Sequence, residues 1–167
     1  MFWLLLAVIL VLLTFVYGGF LGAPWVPSRG RDLRRFVNLA ACRPGEIFYD
    51  LGCGDGRFVA TAARLGADAR GFEVSLLPYL LAKIRGLWLL KKAYHVRCKN
   101  FWPVSLSDAD IIYIFLSPRA NERLAKKLAN ELKPGARIIA YVWPIPGWTP
   151  EKIDEVPHQP KLFLYRR

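Results

Sequence analysis

Hydrophobic and polar positions divide the chain into two regimes. Positions 1 to 28 carry no charged side chain, and Phe2 to Val16 is apolar almost throughout, continuing through Tyr17-Gly18-Gly19-Phe20-Leu21-Gly22. About 20 apolar residues suffice to cross a bilayer, so the pattern predicts one transmembrane helix over residues 1–22, with Trp3 and Trp25 as interfacial anchors. A cleaved signal peptide would bring a basic leading segment and an A-x-A site, and neither is found. Pro24 and Pro27 break the helix. From Ser28, read as an N-cap, Leu33, Phe36, Val37 and Ala40 fall on one face of a second helix that Arg43-Pro44-Gly45 ends.

Beyond residue 45, short apolar runs alternate with helical periodicity: strand 46–51, helix 57–65, strand 69–74, helix 76–91, strand 94–99, strand 110–116, helix 119–132 and strand 136–142. Such alternation predicts an α/β fold, a doubly wound and mostly parallel sheet with its ligand site at the carboxyl ends of the strands. Residues 151–167 add one or two short strands as a reverse hairpin. The expected organisation is a transmembrane helix (1–22), a linker with a helix (23–45) and a catalytic domain (46–167). Helix 76–91 is apolar nearly all round, more than one sheet-facing stripe needs. Its outer face calls for a cover, either a membrane surface with Lys83, Arg85 and Lys91 snorkelling or a partner subunit. Gly18 and Gly22 form a G-x-x-x-G pair that allows a homo-oligomer.

Candidate chemistry concentrates at residues 50–56, Asp-Leu-Gly-Cys-Gly-Asp-Gly, between a strand and a helix. Gly52, Gly54 and Gly56 can take positive φ and bring backbone N–H groups against a ligand at a helix N-terminus. The spacing is one residue short of the dinucleotide fingerprint, so the expected ligand lacks a pyrophosphate. Glu73, 23 residues after Asp50 at the end of the next strand, is placed to accept ribose hydroxyls. A plain tight turn is the competing reading; the strand, turn, helix and spaced acid together favour cofactor binding.

Charge adds direction. The net charge of +11 admits anionic headgroups or nucleic acid as partner, and the apolar N-terminus favours headgroups. Arg29, Arg31, Arg34 and Arg35 follow the apolar run against Asp32 alone, which places the catalytic part in the cytoplasm. Three cysteines, Cys42, Cys53 and Cys98, suit free thiols in a reducing compartment and are read as small buried hydrophobes. No metal site is called for.

The acid-led turn and Glu73 resemble the nucleoside-binding half of class I S-adenosylmethionine-dependent methyltransferases. From about residue 24 to 150 the chain is similar to the small seven-strand protein-lysine methyltransferases that include the enzymes modifying the ADP/ATP translocase and the c-ring protein of the mitochondrial ATP synthase. Four blocks carry the likeness: Pro24 to Ser28, Asp50 to Arg57, Glu131 to Ile139 and Pro144 to Pro150, whose Pro-Ile-Pro-Gly-Trp-Thr-Pro is the most specific. The resemblance implies a Rossmann-like, seven-strand sheet and S-adenosyl-L-methionine as cofactor, S-adenosyl-L-homocysteine being its product. It places Asp50, Leu51, Gly52, Cys53, Gly54, Asp55, Gly56, Glu73, Asn100 and Phe101 at the cofactor. Trp25, Val26, Pro27 and Ser28 form one wall of a lysine channel, and Leu116, Ser117 and Pro118 the other. Asn100 stands where many relatives have Asp, and Ser75-Leu76 replaces the family's Asn-Pro.

The implied reaction is in-line attack of a neutral lysine amine on a sulfonium methyl. Neither His95 nor His158 is placed to act as general base, and no catalytic residue is assigned. The substrate expected is a protein, in particular a membrane protein with a lysine near the membrane surface. The alternatives are methylation of RNA, DNA or a small molecule, or a scaffold that binds cofactor without transfer. Leu116-Ser117-Pro118-Arg119 lacks the Asn-Pro-Pro-aromatic pattern of base-amino methylation, which weighs against nucleic acid. On this reading residues 1–22 only locate the enzyme, and their removal leaves cofactor affinity nearly intact.

Overall fold

The computed structural model describes residues 1–22, 25–89 and 93–167; Pro24 and Lys91 lie outside them. Helix α1, Phe2–Leu21, covers the uncharged segment, and helix α2 is Gly30–Ala40. Arg29, one residue beyond the expected Ser28, is the N-cap of α2. The carboxylate of Asp32 accepts its N–H at 3.2 Å, which satisfies one of the first-turn donors and fixes where the helix begins. Asp32 is fully buried and also accepts from the Tyr141 hydroxyl at 2.7 Å.

Strands β1 (Ile47–Leu51), β2 (Asp68–Glu73), β3 (Tyr94–Cys98), β4 (Ile111–Ile114), β5 (Arg137–Tyr141), β6 (Lys152–Asp154) and β7 (Leu162–Arg166) form one sheet in the order β3-β2-β1-β4-β5-β7-β6. Pairs among β1 to β5 are parallel, and β7 runs antiparallel to both β5 and β6. The sheet is thus mixed, with the closing hairpin expected from residues 151–167. Strand order reverses between β1 and β4, the crevice position at which such sheets bind ligands.

Alternation along β1 divides the core. Phe48 faces a cluster with Phe36 of α2 and with Phe58 and Val59 of helix α3 (Arg57–Arg64); Tyr49 and Leu51 face another with Ile112, Ile114, and Leu124 and Leu128 of helix α5 (Pro118–Glu131). Helix α4, Leu76–Leu89, connects β2 to β3. The connection from β3 to β4 departs from strict double winding: it has no helix, and Phe101, Trp102 and Leu106 plug the sheet face instead. Three buried side chains on a twelve-residue loop thus cover the sheet face where a crossover helix would otherwise pack.

The first helix is not a free-standing appendage. Its last two turns dock on the domain, where the Trp102 indole N–H donates to the Leu21 carbonyl at 2.9 Å. The Gly22 carbonyl accepts from the Ser117 backbone N–H at 3.1 Å and the Ser117 hydroxyl at 2.6 Å. These donors satisfy carbonyls that a helix C-terminus leaves without an intrahelical partner. Thr14 accepts the Leu76 N–H at 3.1 Å through its hydroxyl, so α1 also bonds the first turn of α4.

Candidate active site

Between the carboxyl ends of β1, β2 and β4 lies a cleft. Its floor is the turn after β1. Gly52, Gly54 and Gly56 have φ of +88°, +53° and +72°, the left-handed region in which a Cβ is strained. At Gly54 a Cβ would also sit 2.7 Å from the Trp25 indole nitrogen, and at Gly56 only 2.3 Å from the Tyr94 hydroxyl. Gly54 therefore lets Trp25 lie on the turn, whereas Gly56 lets α3 approach α4 and β3.

Glu73 organises the floor. One carboxylate oxygen accepts the Gly54 N–H at 2.9 Å; the other accepts the N–H groups of Val74 at 2.9 Å and Ser75 at 2.8 Å. A carboxylate oxygen accepts about two hydrogen bonds, so the oxygen on Gly54 retains a free acceptor direction facing the cleft. Asp50 is buried at 2% exposure. Desolvation pushes its carboxyl well above the usual range, and the charges of Glu73 and Asp55 push it further.

Asp55 lines the cleft and also pairs with two arginines. Arg57 donates to it through Nε at 2.9 Å and Nη2 at 2.8 Å, and Arg85 through Nη2 at 2.8 Å. Burial raises its carboxyl, but the two guanidinium groups outweigh that and hold it below its usual value. Its charge is neutralised within the protein. Arg57 also donates to the Ser28 carbonyl, so Asp55 holds the arginine that ties segment 25–28 to the turn.

Of the residues expected at the site, Asp50, Gly52, Cys53, Gly54, Asp55, Glu73, Asn100 and Phe101 line the cleft, as do Trp25, Val26, Pro27, Ser28 and Leu116. Leu51 is instead fully buried in the core, because alternation turns it to the opposite sheet face from Asp50. Ser117 caps α5 by accepting the Ala120 N–H at 3.3 Å while it holds Gly22, and Pro118 begins that helix. Neither lines the cleft. Asn100 turns its amide oxygen to the Trp102 N–H at 3.0 Å, which leaves that oxygen one further acceptor direction. Among the cysteines, Cys53 is buried and Cys42 partly so, but Cys98, the last residue of edge strand β3, is exposed.

Among the lining residues that escaped the sequence reading, which also include Phe58, Phe72 and Lys99, two groups matter most. Gly18, Leu21 and Gly22 of the N-terminal segment form a wall of the cleft. Gly18 passes so close to the β2–α4 turn that a Cβ there would meet the Ser75 hydroxyl at 2.8 Å. Removing residues 1–22 would therefore take away part of the site, contrary to the expectation that they serve location alone. The second is Tyr113, register partner of Asp50. Its buried hydroxyl finds no hydrogen-bond partner among the described residues, and its ring stacks on Phe58 at 4.0 Å. It stands in the apolar strand run 110–116, where no local pattern marks one side chain as facing a site.

Comparison with known proteins sharpens the chemistry. The family model of the ANTKMT methyltransferase domain matches residues 50–152. A protein-lysine N-methyltransferase of Saccharolobus islandicus (strain REY15A) is 36% identical over 137 residues, 80% of this chain and 84% of that one. The human lysine N-methyltransferase named for the C subunit of ATP synthase is 35% identical over 135 residues, and the mouse adenine nucleotide translocase lysine N-methyltransferase 35% over 136; each match covers 78% of this chain. The matched parts span only 56% and 57% of those two relatives. Among solved structures, an RNA methyltransferase of Salinibacter ruber in complex with S-adenosyl-L-homocysteine superposes with a TM-score of 0.80 at 24% identity, covering 84% of this chain and 93% of that one. A methyltransferase of Geobacter sulfurreducens, also with S-adenosyl-L-homocysteine, gives 0.59 at 23%, covering 78% and 52%.

The cleft fits an adenosyl sulfonium. Its floor offers backbone at Gly52 and Gly54, whereas Gly56, though expected at the cofactor, does not line the cleft; its acids Asp50 and Glu73 suit a cationic ligand, and the Glu73 oxygen bonded by Gly54 keeps a free acceptor direction. The orphaned Tyr113 hydroxyl is the kind of buried polar atom that a ligand satisfies.

Proposed function

The chain belongs to the ANTKMT methyltransferase family and is an S-adenosyl-L-methionine-dependent methyltransferase, and from that premise we propose that it is a membrane-anchored protein-lysine N-methyltransferase acting on lysines near a membrane surface. The observation that carries the reading is the position of α1. This helix has a mean hydropathy of 2.7, with 6% of its most apolar window buried, and it contributes a wall to the cleft. A helix suited to lipid is thereby part of the site at which a substrate must arrive. Relatives named for lysine methylation of two membrane-embedded proteins support the same substrate class.

The bound cofactor would supply an electrophilic methyl on a sulfonium. The chain's part is to present a neutral amine to it. A lysine with a pKa near 10.4 costs roughly 4–5 kcal/mol to deprotonate at neutral pH. Trp25, Val26, Pro27 and Leu116, with Phe101 and Phe115 beside them, line the approach and exclude water, which disfavours the ammonium form. The sulfonium charge acts in the same direction. Asp50 and Glu73 stand on the cofactor side, where they favour its cation. Fixing segment 25–28 through Arg57 gives the amine one line of approach, and alignment of this kind accounts for much of the acceleration in such transfers. His95 and His158 are exposed and outside the cleft.

The arginines after α1 support a domain on the cytoplasmic side in this reading. The test is transfer of a labelled methyl group from the detergent-solubilised protein to membranes, soluble proteins and RNA offered separately. Label on lysines of membrane proteins is expected. Label confined to RNA would replace this reading with nucleic-acid methylation, and label confined to soluble proteins would remove the membrane from it.

A further inference from the structure

Helix α4 is amphipathic in the inverted sense. Its inner side carries Ala82, fully buried, and Arg85, which donates to the Asp55 backbone carbonyl at 2.8 Å and to its carboxylate. Its outer side carries Leu77, Leu80, Leu81, Ile84, Leu87 and Trp88, spaced as one helical stripe and all exposed, Leu87 by 74% and Trp88 by 85%. A soluble domain rarely leaves such a contiguous apolar strip open to water.

We infer that α4 lies in the membrane interface, its outer stripe sunk into the headgroup and acyl boundary of the bilayer in which α1 is inserted. The inference rests on the membrane-anchored reading above and adds which face of the catalytic domain touches lipid. Three observations choose lipid as the occupant.

The first is depth. Helix α1 rises ~1.5 Å per residue, so Phe2 to Leu21 matches the roughly 30 Å hydrocarbon core. Thr14, however, is bonded to Leu76 at the start of α4, and only about 18 Å of helix precedes it. Seating the whole of α1 in the bilayer draws the start of α4 about 10 Å below the hydrocarbon boundary, close to the 5–10 Å depth at which interfacial helices bury their apolar faces. The second is continuity, since α1 packs on α4 and exposes Leu10, Leu13 and Tyr17 to the same surroundings. The third is charge. Lys83 on α4, and Arg29, Arg31 and Arg34 beside segment 25–28, are exposed, and none of them forms a salt bridge within the described residues; they suit anionic headgroups.

The experiment uses the full chain with Cys42→Ser and Cys98→Ser, reconstituted in phosphatidylcholine–phosphatidylglycerol vesicles whose acyl chains carry bromine. A fluorescent thiol label is placed by Leu80→Cys on α4, Val8→Cys on α1, or Lys126→Cys on the exposed face of α5. The label at 80 is expected to lose most of its fluorescence, as is that at 8, while that at 126 keeps it. A quenched label at 8 with an unquenched label at 80 overturns the α4 inference and leaves the anchor standing. Unquenched labels at both positions overturn the anchor and the inference together. Cross-linking of two copies through residue 80, with no quenching there, assigns the face to protein instead of lipid.

Discussion

Glu73 shows how much one carboxylate does in the floor of the cleft. Three backbone N–H groups converge on it, so it shapes the turn as well as facing the ligand. Glu73→Gln keeps the size but sets an amide NH₂ against one of those N–H groups. With charge-assisted hydrogen bonds contributing about 1.5–3 kcal/mol, cofactor affinity by calorimetry should fall at least about tenfold. Unchanged affinity would take Glu73 out of the site. Asp50 makes a prediction in pH. Its carboxyl is raised by burial and then by its acidic neighbours, so the group is partly protonated at pH values where an exposed aspartate is ionised. A cationic ligand binds the ionised form better, so affinity for S-adenosyl-L-methionine should rise with pH through the raised Asp50 range. S-adenosyl-L-homocysteine, without the sulfonium charge, should show a weaker rise. In Asp50→Asn the slope should vanish, and a slope that persists would assign it to another group. Asp50, Gly52 and Gly54 were legible because strand, turn and helix are contiguous there, and Glu73 from its spacing at the end of the next strand, whereas Trp25 came only from the family resemblance; all five line the cleft. That Asp55 is also held by Arg85 of α4 was not legible, because that arginine lies thirty residues away, a distance that no local pattern reports.

Among the elements, the strands and helices of the catalytic domain followed from periodicity, with ends displaced by a residue or two. Docking of α1 did not follow, because a run apolar on every side gives no sign of which face meets protein. The signs were small residues and a hydroxyl: Gly18 allows the close approach to Ser75, and Thr14 bonds α4. Gly18→Leu should force α1 away from the β2–α4 turn. Cofactor affinity should then drop several-fold while the far-UV spectrum and the fraction inserted in vesicles stay unchanged. Full affinity would show that the wall formed by α1 does not matter to the ligand. Trp102→Phe keeps the aromatic packing but leaves the Leu21 carbonyl without its indole donor. The expected loss is about 1 kcal/mol of stability, read as a lower midpoint in urea in detergent.

Across the whole molecule, the structure joins what the sequence presented as separate parts, an anchor, a linker and an enzyme. The Gly22 carbonyl is bonded twice by Ser117 and the Leu21 carbonyl by Trp102, so the catalytic domain does not swing on a leash. It is mounted on a post. On the membrane-anchored reading, the altitude of the cleft is set by the number of residues in α1 ahead of the Thr14 bond, and the length of chain after residue 22 has no influence on it. Four leucines inserted between Leu12 and Leu13 should lift the cleft by ~6 Å and shift methylation toward lysines standing farther out from the same membrane. Four residues inserted between Ala23 and Pro24 should leave the height of the cleft unchanged. An insertion series that changed the chosen lysine only when made after residue 22 would mean the post is a leash after all.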